Sequence, residues 1–232
     1  MAYDLSEPIR ITESSNQENS LGVHNSIHVR NSDLNRESLQ VTAAAFLTVP
    51  FFLLTLGGLF SIAAVSGTQQ NLKLFMSLHL HFTRSESARI LSLVLAFSIA
   101  GRFLIGWLAG RFRKKYVMLL IYLLVAAAIP LLLAGRPPSA VYVFAAVFGI
   151  ALGGDYAIVP LMTAEIFGVQ LLGRLLGVIL TAGSVAEALS PRLVRRIRDS
   201  SGNYSAGFFV LIGMALLGAA AAGGLPKGRK TA

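Results

Sequence analysis

From residue 38 to residue 226, long uncharged runs alternate with short charged stretches, and that alternation predicts helices that cross a membrane. A helix spans the hydrocarbon with about 20 mostly apolar residues. Residues 38–72 carry no charge at all, which is too long for one straight span. Gly57, Gly58 and Gly67 offer places to bend, so one long helix with a kinked, more polar end is expected. Further oily runs cover roughly residues 90–110, 116–135, 140–164, 175–190 and 206–225. The run ending at residue 135 is closed by "GRPPS" and the run ending at 190 by Pro191, because proline breaks the helical hydrogen-bond ladder. Backbone exposed to lipid must satisfy its own hydrogen bonds, so these runs read as helices packed in a bundle. Gly106/Gly110, Gly149/Gly153 and Gly173/Gly177 each follow the G-x-x-x-G spacing that lets helix backbones approach closely.

The expected fold is therefore all-α: a polytopic membrane bundle of six transmembrane helices over residues 41–226, with both termini on one side. Composition strengthens this picture. Of 232 residues, 54% are hydrophobic and 13% charged, where a soluble domain carries about 25% charge. There is no cysteine, which excludes disulfides and thiolate metal sites. The net charge of +9 would suit nucleic acid. The bases, however, sit at the ends of oily runs without interleaved aromatics, so nucleic-acid binding is set aside. Residues 1–40 hold six acids and three arginines among many Ser and Asn. They have no apolar stripe and no oily core after a basic start, so a disordered polar tail is expected and not a signal peptide. Residues 227–232 read as a short basic tail.

Bases near span ends usually mark the cytoplasm. The face holding the termini carries ten of them and the other face eight. The slim excess decides very little by itself. The near balance has a reading of its own. The second span ends in "GRFRKK" and the fifth in "SPRLVRRIRD". Two three-helix repeats of inverted topology would put such matching clusters on opposite faces; two unrelated basic loops are the alternative.

Three ionisable residues interrupt the oily runs: Arg102, Asp155 and Glu187. An arginine at the bilayer centre costs at least about 2.5 kcal/mol, so it is expected to turn away from lipid. Ser98, Arg102, Gly106 and Gly110 share one helix face. Arg102 either binds an anion, pairs with Asp155 or Glu187, or snorkels to the interface. Asp155 lies five residues before Pro160, where irregular backbone and an acid suit a proton or cation relay; partnership with Arg102 is the alternative. Glu187, one turn before Pro191, is either a transport residue or a hydrated span end. One arginine against two acids leaves a surplus acid, which is expected to carry a coupling proton. Gln69, Gln70 and Asn71 either line a path or cap a helix at the interface. His79 and His81 lack a third ligand, so no metal site is expected, and no cofactor. All four histidines fall outside the spans, which leaves no base for an intramembrane serine nucleophile.

"GRFLIGWLAGRFRKK" (residues 101–115) resembles the loop motif of the major facilitator superfamily, Gly-x-Leu-x-Asp-Arg-x-Gly-Arg-Arg/Lys. Gly106, Leu108, Arg111, Lys114 and Lys115 match; Gly110 replaces the aspartate and Arg113 the second glycine. "GGDYAIVPLMTAEIFG" (153–168), "GRLLGVILTAGSVAEALSP" (173–191) and "GNYSAGF" (202–208) resemble stretches of the tenth, eleventh and twelfth helices in the oxalate/formate and monocarboxylate branch. The resemblance covers roughly residues 38–226. It implies the C-terminal six-helix half of a twelve-helix transporter, with Gly106, Arg111, Lys114 and Lys115 in a gating loop on the cytoplasmic side, which agrees with the slim basic excess and puts both termini in the cytoplasm at a plasma (inner) membrane. It also implies that Arg102 binds a substrate carboxylate, as an arginine of the eighth helix does in the monocarboxylate branch. The oxalate/formate branch has a basic residue in its eleventh helix that this chain lacks, which weakens the case for a dicarboxylate. The expected function is transport of a small organic anion, proton-coupled, by a half-length chain. The alternative is a non-transporting truncated or assembly-subunit membrane protein that needs a partner N-terminal half or a second copy.

Overall fold

The computed structural model describes residues 42–226, apart from 79, 81 and 135–137. The two expected tails and both histidines of the His79/His81 pair lie outside the described residues. The chain divides into two units, Met1–Ala45 and Phe46–Ala232; the described part of the first, residues 42–45, is helical. The second unit contains α1 (Val49–Leu78), α2 (Arg84–Arg111), α3 (Lys114–Leu133), α4 (Pro138–Phe167), α5 (Val169–Ser201) and α6 (Tyr204–Gly224). All six are long and apolar enough to cross a membrane, and the described residues contain no strand.

The ends of the helices follow local chemistry. Thr83 caps α2 in a capping box: its hydroxyl accepts from the Glu86 amide at 3.3 Å, and Glu86 Oε2 accepts from the Thr83 amide at 2.8 Å. Asn203 caps α6, its Oδ1 accepting from the Ser205 amide at 3.0 Å. Between α4 and α5 a single residue turns the chain, and Gly168 does so at φ 81°, a backbone region that side chains disfavour.

Two boundaries differ from the sequence reading. The first long helix begins at Val49, after a separate helical stretch at residues 42–46, and passes Gly57, Gly58 and Gly67 without a break. These glycines face neighbouring helices: Gly57 lies against the Gly218 carbonyl and Gly67 against Leu211. They serve packing and not bending. The fifth helix does not stop at Pro191 but continues to Ser201. Pro191 lacks the amide that would bond the Glu187 carbonyl, and the Ser66 hydroxyl of α1 donates to that carbonyl instead, at 3.1 Å. A neighbouring helix thus supplies the bond that proline removes.

The packing has an internal two-fold pattern. The pairs in broadest contact are α2 with α4, α1 with α6, α1 with α5, α3 with α4 and α3 with α6. Exchanging α1, α2, α3 for α4, α5, α6 maps this set onto itself. The six helices are two inverted three-helix repeats, and the basic clusters ending α2 and α5 fall at opposite ends of the bundle. The core holds Phe75 edge-on to Phe208 at 5.0 Å and to Tyr204 at 6.3 Å, with Phe144 stacked on Phe148 at 5.0 Å.

Apolar burial does not hold helices together in lipid, because the tails are as oily as the side chains; close packing does. The tightest crossing is α2 on α4. A methyl group on Gly153 would stand 1.9 Å from the Ser98 carbonyl oxygen, one on Gly149 2.6 Å from the Val94 carbonyl oxygen, and one on Gly101 2.5 Å from the Ile150 carbonyl oxygen. Of the three G-x-x-x-G pairs, Gly149/Gly153 is the one that makes a close approach. Gly106, Gly110, Gly173 and Gly177 meet nothing within 4 Å, because they lie on the open sides of α2 and α5. Gly153→Ala is therefore expected to lose at least about 1–3 kcal/mol of stability through overpacking, while Gly106→Ala changes it by less than about 1 kcal/mol. Unfolding of the purified variants in a mild detergent measures both; equal losses contradict this packing.

Candidate functional site

Two helices are much less covered than the rest. In their most apolar stretches α2 is 28% buried and α5 22%, against 39–61% for the other four. The open sides of both carry large apolar residues, Ile99, Phe103 and Trp107 on α2 and Val178 and Val185 on α5. They also carry polar ones: Arg102 on α2, and Thr181, Ser184 and Glu187 on α5, are exposed. Lipid alone does not suit that mixture.

The intramembrane charges converge beside this open side. A crevice of about 10 Å³, space for roughly one water, is lined by Ile62, Val65, Ser66 and Gln69 of α1, Asp155 and Tyr156 of α4, and Glu187 of α5. Asp155 is 5% exposed, and Ser61 Oγ donates to its Oδ1 at 3.0 Å. Arg102 reaches in from α2, its guanidinium 5.6 Å from the centre of the Tyr156 ring, a cation–π distance. The half-exposed tyrosine thus connects Arg102 to the crevice.

The structure brings Arg102, Asp155, Glu187 and Gln69 into one region, but not into ion pairs. Among the described residues the salt bridges are Lys114–Glu165 and Arg198–Asp199. The pairing of Arg102 with Asp155 or Glu187, one alternative from the sequence, is not made: Arg102 turns to an aromatic face and Asp155 to a hydroxyl. Gln70 is exposed, and its amide donates to Ser66 Oγ at 3.1 Å. Asn71 lies on another side of α1, fully buried, donating to the Gly67 carbonyl at 2.9 Å and leaving its Oδ1 without a partner among the described residues. Successive helical residues point about 100° apart, so three adjacent polar residues cannot share one path. No group of three or more His, Cys, Asp or Glu gathers to hold a metal among the described residues.

The basic loop forms a second cluster at the far end of α2. Lys114 pairs with Glu165 near the end of α4 at 2.8 Å, with the two side chains 23% and 12% exposed. Lys115 donates to the Leu225 carbonyl at the end of α6, where a cation suits the unpaired carbonyls of a helix terminus. Arg111 lies over Trp107, 5.7 Å from the ring. Gly106 and Arg111 themselves face open space.

Four residues of these clusters escaped the sequence reading: Ser61, Ser66, Tyr156 and Glu165. Glu165 stands at the end of an oily run opposite a basic loop, which is a readable signal. The serines and the tyrosine carry none, since such residues recur throughout membrane helices.

Residues 54–231 match the Major Facilitator Superfamily. The chain belongs to that family, a class of membrane transporters and not of enzymes. It is a multi-pass membrane protein. It is 26% identical over 176 residues to monocarboxylate transporter 12-B of Danio rerio, covering 74% of this chain and 37% of the relative. Monocarboxylate transporter 12 of Mus musculus is 29% identical over 136 residues, and that of Homo sapiens 27% over 135; these cover 57% and 55% of this chain, and 28% and 26% of the relatives. The chain thus spans well under half the length of these relatives.

The proline-freed carbonyl gives a test of the site's framework. Ser66→Ala is expected to cost about 1 kcal/mol by leaving the Glu187 carbonyl unpaired. In a Pro191→Ala background the restored amide takes that carbonyl, so the same substitution costs less. A double-mutant cycle on unfolding free energies reads the coupling; strictly additive losses contradict the assignment.

Proposed function

We propose that this chain forms one six-helix half of a transporter for small monocarboxylates. Arg102 carries the reading. It is a guanidinium inside a membrane helix, exposed on the open side of the bundle, resting on Tyr156 and in no ion pair among the described residues. A guanidinium offers a planar fork of donors that matches one carboxylate, and Tyr156 leaves that fork accessible. The names of the relatives point to the same substrate class. Gln69 is placed to add a polar contact in the crevice.

Proton coupling falls to Asp155 and Glu187. Asp155 is buried beside one hydroxyl and in no ion pair among the described residues, so its ionised form is not offset by a paired charge. A carboxyl that gains and loses a proton as the anion comes and goes keeps the site's charge balanced. Glu187 is the hydrated acid of the pair, exposed at the mouth of the crevice. The loop acts as a gate: the Lys114–Glu165 pair and the Lys115–Leu225 contact tie α3 to the ends of α4 and α6, and must open if those ends separate. Gly106 and Arg111 occupy the outer side of this loop. The membrane is the plasma (inner) membrane, with both termini cytoplasmic, on the likeness of the basic loop to the family's cytoplasmic loop, with which the slim basic excess of that face agrees. The open side of α2 and α5 would be covered by another six-helix unit, on the same polypeptide or another, or by a second copy.

Uptake of labelled lactate into vesicles carrying the full chain, under an imposed pH gradient, tests the reading. Arg102→Ala is expected to reduce uptake at least about tenfold, the loss of a charge-assisted bond, and Asp155→Asn to remove the dependence on the gradient. Equal uptake by wild type and Arg102→Ala would refute the anion site. Absence of uptake in the wild type, restored by adding a six-helix N-terminal half, would instead favour the assembly-subunit reading.

A further inference from the structure

A second concave surface lies away from Arg102. A groove of about 490 Å³ runs between α1, α5 and α6, lined by Leu59, Ala63, Leu189, Leu193, Met214 and, at one end, Arg192 and Arg196. Its polarity is ordered along the membrane. Ile62 packs on Gly183 and Ser66 bonds the Glu187 carbonyl, so α1 and α5 run in the same direction side by side. Ala186, which also lines the groove, stands near the middle of α5. At 1.5 Å per residue, Arg192 and Arg196 lie about 9 and 15 Å further along. Half the hydrocarbon thickness is about 15 Å. The aliphatic part of the groove therefore lies at acyl-chain depth and the arginine end approaches the headgroups.

Two further observations concern the occupant. Ser190 lines the groove, is 3% exposed, and its hydroxyl has no hydrogen-bond partner among the described residues. A buried hydroxyl without a partner is costly, and an occupant bearing oxygen atoms would relieve it. Arg192 and Arg196 form no ion pair among the described residues, whereas Arg198 pairs with Asp199 and rests on Tyr204. Two free guanidiniums one helical turn apart call for an anion, and an aliphatic groove below them calls for a chain attached to it.

We propose that this groove holds an anionic phospholipid, with the phosphate on Arg192 and Arg196 and an acyl chain along Leu193, Leu189, Ala63 and Leu59. Basic pockets between membrane helices on the cytoplasmic side recognise such headgroups; with both termini cytoplasmic, Arg192 and Arg196 present the same chemistry to the opposite leaflet. A small carboxylate would leave the aliphatic length empty. A second copy docked by two-fold symmetry here would set the same arginines against each other.

Native mass spectrometry of the full chain, extracted from bilayers of equal phosphatidylglycerol and phosphatidylcholine, tests the proposal. Wild type should retain phosphatidylglycerol selectively, and Arg192→Gln/Arg196→Gln should lower that selectivity about thirtyfold, the effect of two lost surface cations. The control Arg84→Gln/Arg89→Gln removes two bases from the same end of the bundle and should leave selectivity unchanged. Retention of both lipids alike, or equal loss in the control, would overturn the proposal. Should the double variant fail to fold, wild type alone decides. Phosphatidylglycerol with a photoreactive acyl chain should label residues 189–193 and Met214, and inorganic phosphate should not compete. Labelling confined to other helices, or copies cross-linked through the groove, would overturn it.

Discussion

In hydrocarbon every backbone amide and carbonyl must find its partner inside the protein, and the arrangement of this chain follows from that requirement. It makes each oily run a helix. It also decides what happens where a helix is interrupted. Pro191 removes one bond from the middle of α5, and the carbonyl it frees is taken up by the Ser66 hydroxyl of α1. Ser66 in turn accepts from Gln70 and lines the crevice beside Asp155 and Glu187. A backbone defect, repaired across a helix interface, thereby fixes the floor of the polar site.

The second organising contact is the α2–α4 crossing. Val94 and Ser98 of α2 meet Gly149 and Gly153 of α4 at backbone contact distance. The residues next along each helix are Arg102 and Asp155 with Tyr156. The close approach brings the guanidinium over the tyrosine ring while the carboxyl turns inward to Ser61. The inverted repeat gives α1 and α4 equivalent central places and leaves α2 and α5 as the open flanks. The open side is thus a consequence of topology, and the ionisable side chains that lipid would penalise lie on it or beside it.

Much of the fold was legible in the sequence, because length and hydropathy alone separate six spans. The helix ends were less so. Pro191 read as a stop because proline's missing amide is local information, whereas Ser66, which supplies the replacement bond, lies more than a hundred residues away. Gly106 and Gly110 read as a packing pair because spacing does not reveal which side of a helix meets a neighbour. For the site, burial in an oily run identified Arg102, Asp155 and Glu187. The partners of Arg102 and Asp155, Tyr156 and Ser61, were invisible, since no pattern distinguishes them from any other membrane-helix tyrosine or serine. Opposite charges within one bundle suggested an ion pair, yet helix rotation sends Arg102 outward and Asp155 inward.

The central claim is that the open side of α2 and α5 faces water or protein, while α3 and α6 face lipid. The chain has no cysteine, so single introduced cysteines report without background. Reaction with a charged, membrane-impermeant thiosulfonate in the native membrane should modify Arg102→Cys and Ser184→Cys and spare Leu123→Cys and Leu217→Cys, which are exposed at mid-helix on α3 and α6. Rapid modification at 123 and 217 with none at 102 and 184 would contradict the account.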